Sequence, residues 1–145
     1  MSNGSPDKLS REQREKISEW VNAEGEKIAA ELFRKRVLRG KIRVESRWML
    51  PGRMLVGVAW SETHPGEKFW VTGGEWLARD YVPLHVAETA RDAARHFALQ
   101  WQLRGARIGT AAEDDAAVDW KKAEERMAKR AEALYQAVEE DRLWR

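Results

Sequence analysis

Residues 54–61, MLVGVAWS, narrow most what this chain can become. They alternate as a strand does, yet Met54, Val56, Val58 and Trp60 on one side and Leu55, Gly57 and Ala59 on the other leave no polar face for water. Such a strand belongs inside a sheet, covered on both faces by the rest of the chain or in part by a partner. Its neighbours supply that sheet. Pro51 and Gly52 make a turn, because proline presets its own φ and glycine accepts the positive φ that follows. Before the turn, KIRVESRWML (41–50) reads as a strand, with Ile42, Val44, Ser46, Trp48 and Leu50 on one face. Lys41, Arg43, Glu45, Arg47 and Met49 form its wet face. Beyond THPGE, KFWVTG (68–73) reads as a third strand that runs into the loop GEWLARD. The simplest arrangement is an antiparallel meander with 54–61 in the middle.

Cover for that strand has to come from helices. Ser10 and Gln13 form a capping box ahead of Ile17, Trp20, Val21, Ile28, Leu32 and Val37, which recur at helical spacing up to Gly40, with Gly25 a weak point. Everything after Asp80 also reads as helix. The first part spans 81–104, with Val82, Val86, Ala90, Ala94, Phe97 and Trp101 as its apolar stripe. Beyond GARIGT a second runs from Glu113 to Leu143, with the stripe Trp120, Met127, Ala131, Leu134 and Val138. Glu113, Asp114 and Asp115 at its amino end and Arg142 and Arg145 at its carboxyl end suit the helix dipole. The expected fold is a single α+β domain of order α-β-β-β-α-α. A three-stranded antiparallel meander packs against helices over residues 9–145, behind a flexible tail at 1–8.

Composition bounds the chemistry. The 145 residues contain no cysteine, so disulfides, thiolate nucleophiles, zinc-thiolate sites and iron–sulfur ligation are excluded. The polar opening MSNGSPDKLS does not resemble a signal peptide, and no run of about eighteen apolar residues occurs, so a cytoplasmic protein with no membrane association is expected. The net charge of +2 hides an uneven distribution. Arg34, Lys35, Arg36, Arg39, Lys41, Arg43, Arg47 and Arg53 face one acid, Glu45, within 34–53, whereas ten acids oppose seven bases from Glu113 onward. A basic segment of this kind attracts nucleic acid or another anionic partner, or it is neutralised within the fold or across a dimer.

Two of the three histidines invite a catalytic reading. On the expected helix, His85, Thr89, Asp92 and His96 are spaced four, three and four residues apart and stack along one side. His85 and His96 are then about 16 Å apart in rise, too far to share an ion, so only Asp92 and His96 form a pair. The ordinary alternative is a solvated face with ion pairs from Glu88 to Arg91 and Asp92 to Arg95, each worth about 0.3 kcal/mol. His64 falls in THPGE, which reads as a turn. There is no GxSxG, no GxxxxGK[ST] and no GxGxxG. Gly73 and Gly74 end a strand as a turn would, where Arg79 and free amides offer a place for a small anion. No metal site and no cofactor is expected.

Eight tryptophans are unusual for this length, and Trp48, Trp60, Trp70 and Trp76 all fall in or just after the sheet. Large aromatics ordinarily fill the core between sheet and helices. Trp70 beside Arg43 and Arg47 would instead offer a stacking platform to a single strand, and exposure of Trp70 or Trp76 would mark an interaction surface.

The stretch FWVTGGEWLARDYVPLHVAETARDAARHFALQWQLRG resembles a family of small proteobacterial proteins of about 150 residues and unknown function. In that family a Trp-Val strand leads through a Gly-containing loop to DYV and then to an arginine-rich helix. The matching residues are Trp70, Val71, Gly73, Asp80, Tyr81, Val82, Ala90, Arg91, Ala94, Arg95, His96, Phe97, Trp101 and Gln102, and VESRWMLPG is similar as well. GGEWLARD departs from the family's loop. The resemblance implies a bacterial source and no known activity, and it directs attention to Arg91, Arg95, His96 and Gln102. The expectation is a non-enzymatic binding or interaction module whose partner is another protein or a second copy of the chain. The alternative is a nucleic-acid or anionic-ligand binder built on residues 34–53, with Arg43, Arg47, Trp70, Arg79, Arg91 and Arg95 as ligand-binding candidates. A further alternative is an enzyme that uses Asp92, His96 and Arg95 beside the Gly73 loop.

Overall fold

Ser10 starts the first helix of the computed structural model, which describes residues 9–111 and 120–145. Ser10 Oγ accepts from the Gln13 amide at 3.1 Å while Gln13 Oε1 accepts from the Ser10 amide at 2.8 Å, so two orphan donors are satisfied reciprocally. Helix α1 (Arg11–Arg34) stops six residues short of Gly40 because a Schellman closure intervenes. Arg36 takes the left-handed φ of 60°, the Val37 amide donates to the Leu32 carbonyl at 2.9 Å, and Val37 packs back beside Leu32.

Strands β1 (Ile42–Leu50), β2 (Met54–Ser61), β3 (His64–Gly73) and β4 (Asp80–Pro83) form one antiparallel sheet in the order β1-β2-β3-β4. The first three are the expected meander, although β3 begins at His64, within the THPGE segment that reads as a turn. β4 replaces the beginning of the expected helix, with Tyr81 opposite Val71 and Val82 opposite Trp70. Pro83 carries no amide hydrogen and disfavours a helical Val82, so an edge strand is the natural outcome. A 3-10 turn at Leu84–Val86 follows. Thr89 then caps helix α2 (Ala90–Ala111), its Oγ accepting from the Asp92 amide at 3.1 Å. α2 runs through the GARIGT segment that reads as a break, and α3 (Trp120–Glu139) packs against it before a last 3-10 turn at Asp141–Trp144. The expected tail at 1–8 and the acidic helix start at Glu113, Asp114 and Asp115 lie outside the described residues.

The sheet is covered on both faces by the chain itself. Ile28 and Leu32 of α1, with Leu38, bury Leu55, Ala59 and Val71 on one face. Ala94, Phe97 and Trp101 of α2 and Leu134 and Val138 of α3 bury Met54, Val56, Val58 and Trp70 on the other. Each fully buried large side chain stabilises the fold by about 1.5–3 kcal/mol, so both layers are needed. β1 departs from simple alternation. Its register passes from Ser46 opposite Gly57 to Trp48 opposite Val56, leaving Arg47 as an extra, bulged residue. Ile42, Val44 and Ser46 therefore face α1, whereas Trp48 and Leu50 turn to the α2–α3 side and do not share one face with them. Gly57 permits the bulge, because a Cβ there would meet the Glu45 carbonyl oxygen at 2.5 Å.

The carboxyl end is latched to this edge. Trp144 stacks on Trp48 with ring centroids 4.0 Å apart and planes 11° from parallel. Trp48 Nε1 donates to the Leu143 carbonyl at 2.7 Å and Trp144 Nε1 to the Ala137 carbonyl at 2.9 Å, so both indoles keep a polar partner.

Candidate functional site

The α2–α3 pair begins only at Ala90 and leaves part of its sheet face open. There Arg43 pairs with Trp60 and Trp60 with Lys68 across the three strands, and at the adjoining edge of the buried core Glu45 pairs with Val58 and Val58 with Trp70. The result is a groove of about 770 Å³ between the sheet and the turn after β4. Val58, Trp70, Leu84 and Ala87 make its apolar surface, and Arg47, Glu67, Lys68, His85 and Glu88 its polar one. Trp70 is only 4% exposed, and its Nε1 donates to the carbonyls of both Leu84 (3.1 Å) and Ala87 (3.0 Å). It holds the 3-10 turn in place as a wall of the groove rather than standing out as a stacking platform. Lys68 lies over Trp60, 4.9 Å from the ring centroid, and Arg47 pairs with Glu45 at 2.7 Å. The groove thus combines shape and apolar area with charged groups of both signs.

Of the residues singled out in the sequence, Arg47, Trp70, His85 and Glu88 meet at this groove and the others are dispersed. Arg43 pairs with Glu62 at 2.7 Å on the same sheet face. Arg91 clasps the two long helices, Nε donating to the Val138 carbonyl at 2.8 Å and a terminal nitrogen to Asp141 at 2.7 Å. Asp92 and Arg95 form an ion pair at 2.7 Å, each half-exposed, and His96 packs edge-on beside Phe97. None of these three lines the groove. His85 sits in the 3-10 turn, not on α2, so it shares no helix face with Asp92 and His96. Among the described residues no three histidine or carboxylate side chains converge in a way that would hold a metal ion.

Arg79 belongs to a polar depression on the α1 side, with Glu24, Lys27, Glu31 and Gly74. The free amide that the Gly73–Gly74 turn offers to an anion is taken by the protein itself, because Gly74 N donates to the buried carboxylate of Glu24 at 2.7 Å. Partial burial pushes the Glu31 carboxyl up, but Arg34, Lys35 and Arg79 outweigh it and hold the group below the usual carboxylate range. Asp80 ties β4 to α2. Its side chain, 8% exposed, accepts from Trp101 Nε1 at 2.9 Å and from Arg104 at 2.7 Å. Sequence reading missed Glu24, Lys68 and the role of Leu84, because each matters through a neighbour distant in the chain.

Fold and groove together define a small α+β protein with a sheet between helices and one partly open sheet face. The chain belongs to the family described as Domain of unknown function (DUF4826), which matches residues 12–144. No curated protein and no solved structure matches it. No helix among the described residues is long and apolar enough to cross a membrane.

Proposed function

We propose that the protein is a non-enzymatic binding module that takes an extended segment of a partner protein into the groove beside Trp70. The observation that supports this reading is the groove itself, about 770 Å³ with an apolar floor and a rim carrying both signs of charge. Hollows of this size are where proteins hold ligands. An extended peptide suits the lining because its side chains alternate, one toward Val58 and Leu84 and the next toward Arg47, Lys68, Glu67 or Glu88. Mixed charge on the rim selects partners by where their own charges fall.

Gly66 gives a clean test. It lines the groove, and a Cβ there would meet nothing within 4 Å, so Gly66→Trp fills the space without disturbing the fold. Peptides selected from a random display library against the protein should lose at least about tenfold in affinity for Gly66→Trp, with an unchanged melting temperature. Equal binding to both forms, or a selection that returns no peptide, defeats the reading.

A further inference from the structure

A second surface forms where the loop after β3 meets α3. Gly74, at φ 101°, lies so close to the turn between β1 and β2 that a Cβ would sit 2.3 Å from the Arg53 carbonyl oxygen. Two residues on, the Trp76 amide donates to that same carbonyl at 3.0 Å. These contacts set the Trp76 indole beneath the Arg53 guanidinium, 4.7 Å from the ring centroid, while Trp76 stays 46% exposed. Across a shallow hollow of about 270 Å³ stand Arg126, Lys129 and Arg130 of α3, whose spacing of three and four residues puts them on one helix face. Glu75 is the one acid of the lining, and Arg130 also borders the depression that holds Glu24 and Glu31.

None of Arg53, Arg126, Lys129 and Arg130 makes an ion pair with a described residue. Of the eight bases in the run at 34–53, Arg34, Lys35, Arg43 and Arg47 are engaged by glutamates, whereas Arg53 stands over Trp76 instead. Four cations converge around an exposed indole in a chain whose net charge is only +2. Such a concentration of unneutralised charge raises the local potential and draws anions to it.

We propose that this hollow binds single-stranded nucleic acid, with a base against Trp76 and the backbone phosphates on Arg126, Lys129 and Arg130. A bare phosphate has no use for an indole, and an acidic peptide does not carry a flat ring and an anion in every repeating unit. A nucleotide unit meets both halves of the site, stacking on an aromatic ring braced by arginine while cations track its backbone. A duplex is the poorer fit, since its bases hide their faces.

The test is fluorescence anisotropy with a labelled short single-stranded oligonucleotide across a salt series. Engagement of three or four phosphates gives a logarithmic salt slope of about 2–3. Trp76→Ala should weaken binding about tenfold, and the double variant Arg126→Glu with Lys129→Glu should abolish it. All three side chains are exposed, so melting temperatures should stay at the wild-type value. Gly66→Trp should leave oligonucleotide binding unchanged, which keeps this site separate from the sheet groove. Absence of binding at low salt overturns the proposal, as does wild-type affinity in Trp76→Ala. Equal affinity for inorganic polyphosphate does too, since that would make the hollow a plain anion site.

Discussion

At the scale of single residues, conformation and close approach decide the strongest expectations. Arg36 closes α1 in a left-handed conformation that favours glycine. Arg36→Gly should therefore stabilise the protein by about 0.5–1 kcal/mol, read as a higher urea midpoint at constant slope. Gly74→Ala acts in the opposite sense, combining a positive φ with a clash against the Arg53 backbone, and should cost roughly 2–4 kcal/mol in the same assay. Glu31 brings pH dependence. Its carboxyl is held low in the folded protein, so the unfolded chain binds the proton more readily. The stability it contributes is complete above about pH 4.3 and is lost as pH falls through the lower folded value. Glu31→Gln should flatten the acid side of the stability curve below pH ~4, measured as midpoint against pH. The Ser10–Gln13 cap was legible in the sequence because its partners are three residues apart. The Arg36 closure was not, since arginine does not announce a left-handed turn.

At the scale of elements, local pattern served until long-range pairing competed with it. The stripe Val82–Val86–Ala90 has helical spacing, yet Tyr81 and Val82 pair with β3 and Val86 is exposed, so only the part from Ala90 onward is helix. Pro83 held the clue to that boundary. In β1, alternation was legible but the bulge at Arg47 was not, because it exists only in register with Gly57 and Val56 of the neighbouring strand. Through that bulge Trp48 reaches the side on which Trp144 lies. Trp144→Ala removes the ring stack and a hydrogen bond to Ala137, and should destabilise the protein by about 1–3 kcal/mol in urea denaturation.

At the scale of the whole molecule, two cores share one sheet, with β2 giving alternate side chains to each. Loss of either core exposes the sheet, so the protein should unfold in a single step. Leu32→Ala on the α1 side and Leu134→Ala on the α3 side should each cost about 2–5 kcal/mol. Both should shift far-ultraviolet circular dichroism and tryptophan fluorescence together, and separated transitions would show that the layers fold independently. The same layering creates the sheet groove, because a helix pair that starts at Ala90 leaves Val58 and Lys68 at its border.

By itself the sequence determined that β2 is covered on both faces, that an amphipathic helix precedes the meander, that helices follow it, and that thiol chemistry is absent. These are consequences of periodicity and residue type, which act over a few neighbours in the chain. Only the tertiary structure decided that β4 is a strand, that Trp70 is a wall and Trp76 a surface, that Glu24 fills the amide of the glycine turn, and that Trp76, under Arg53, shares a hollow with the basic face of α3. Each depends on which distant segments touch, and those contacts are set by the packing of both layers onto the sheet.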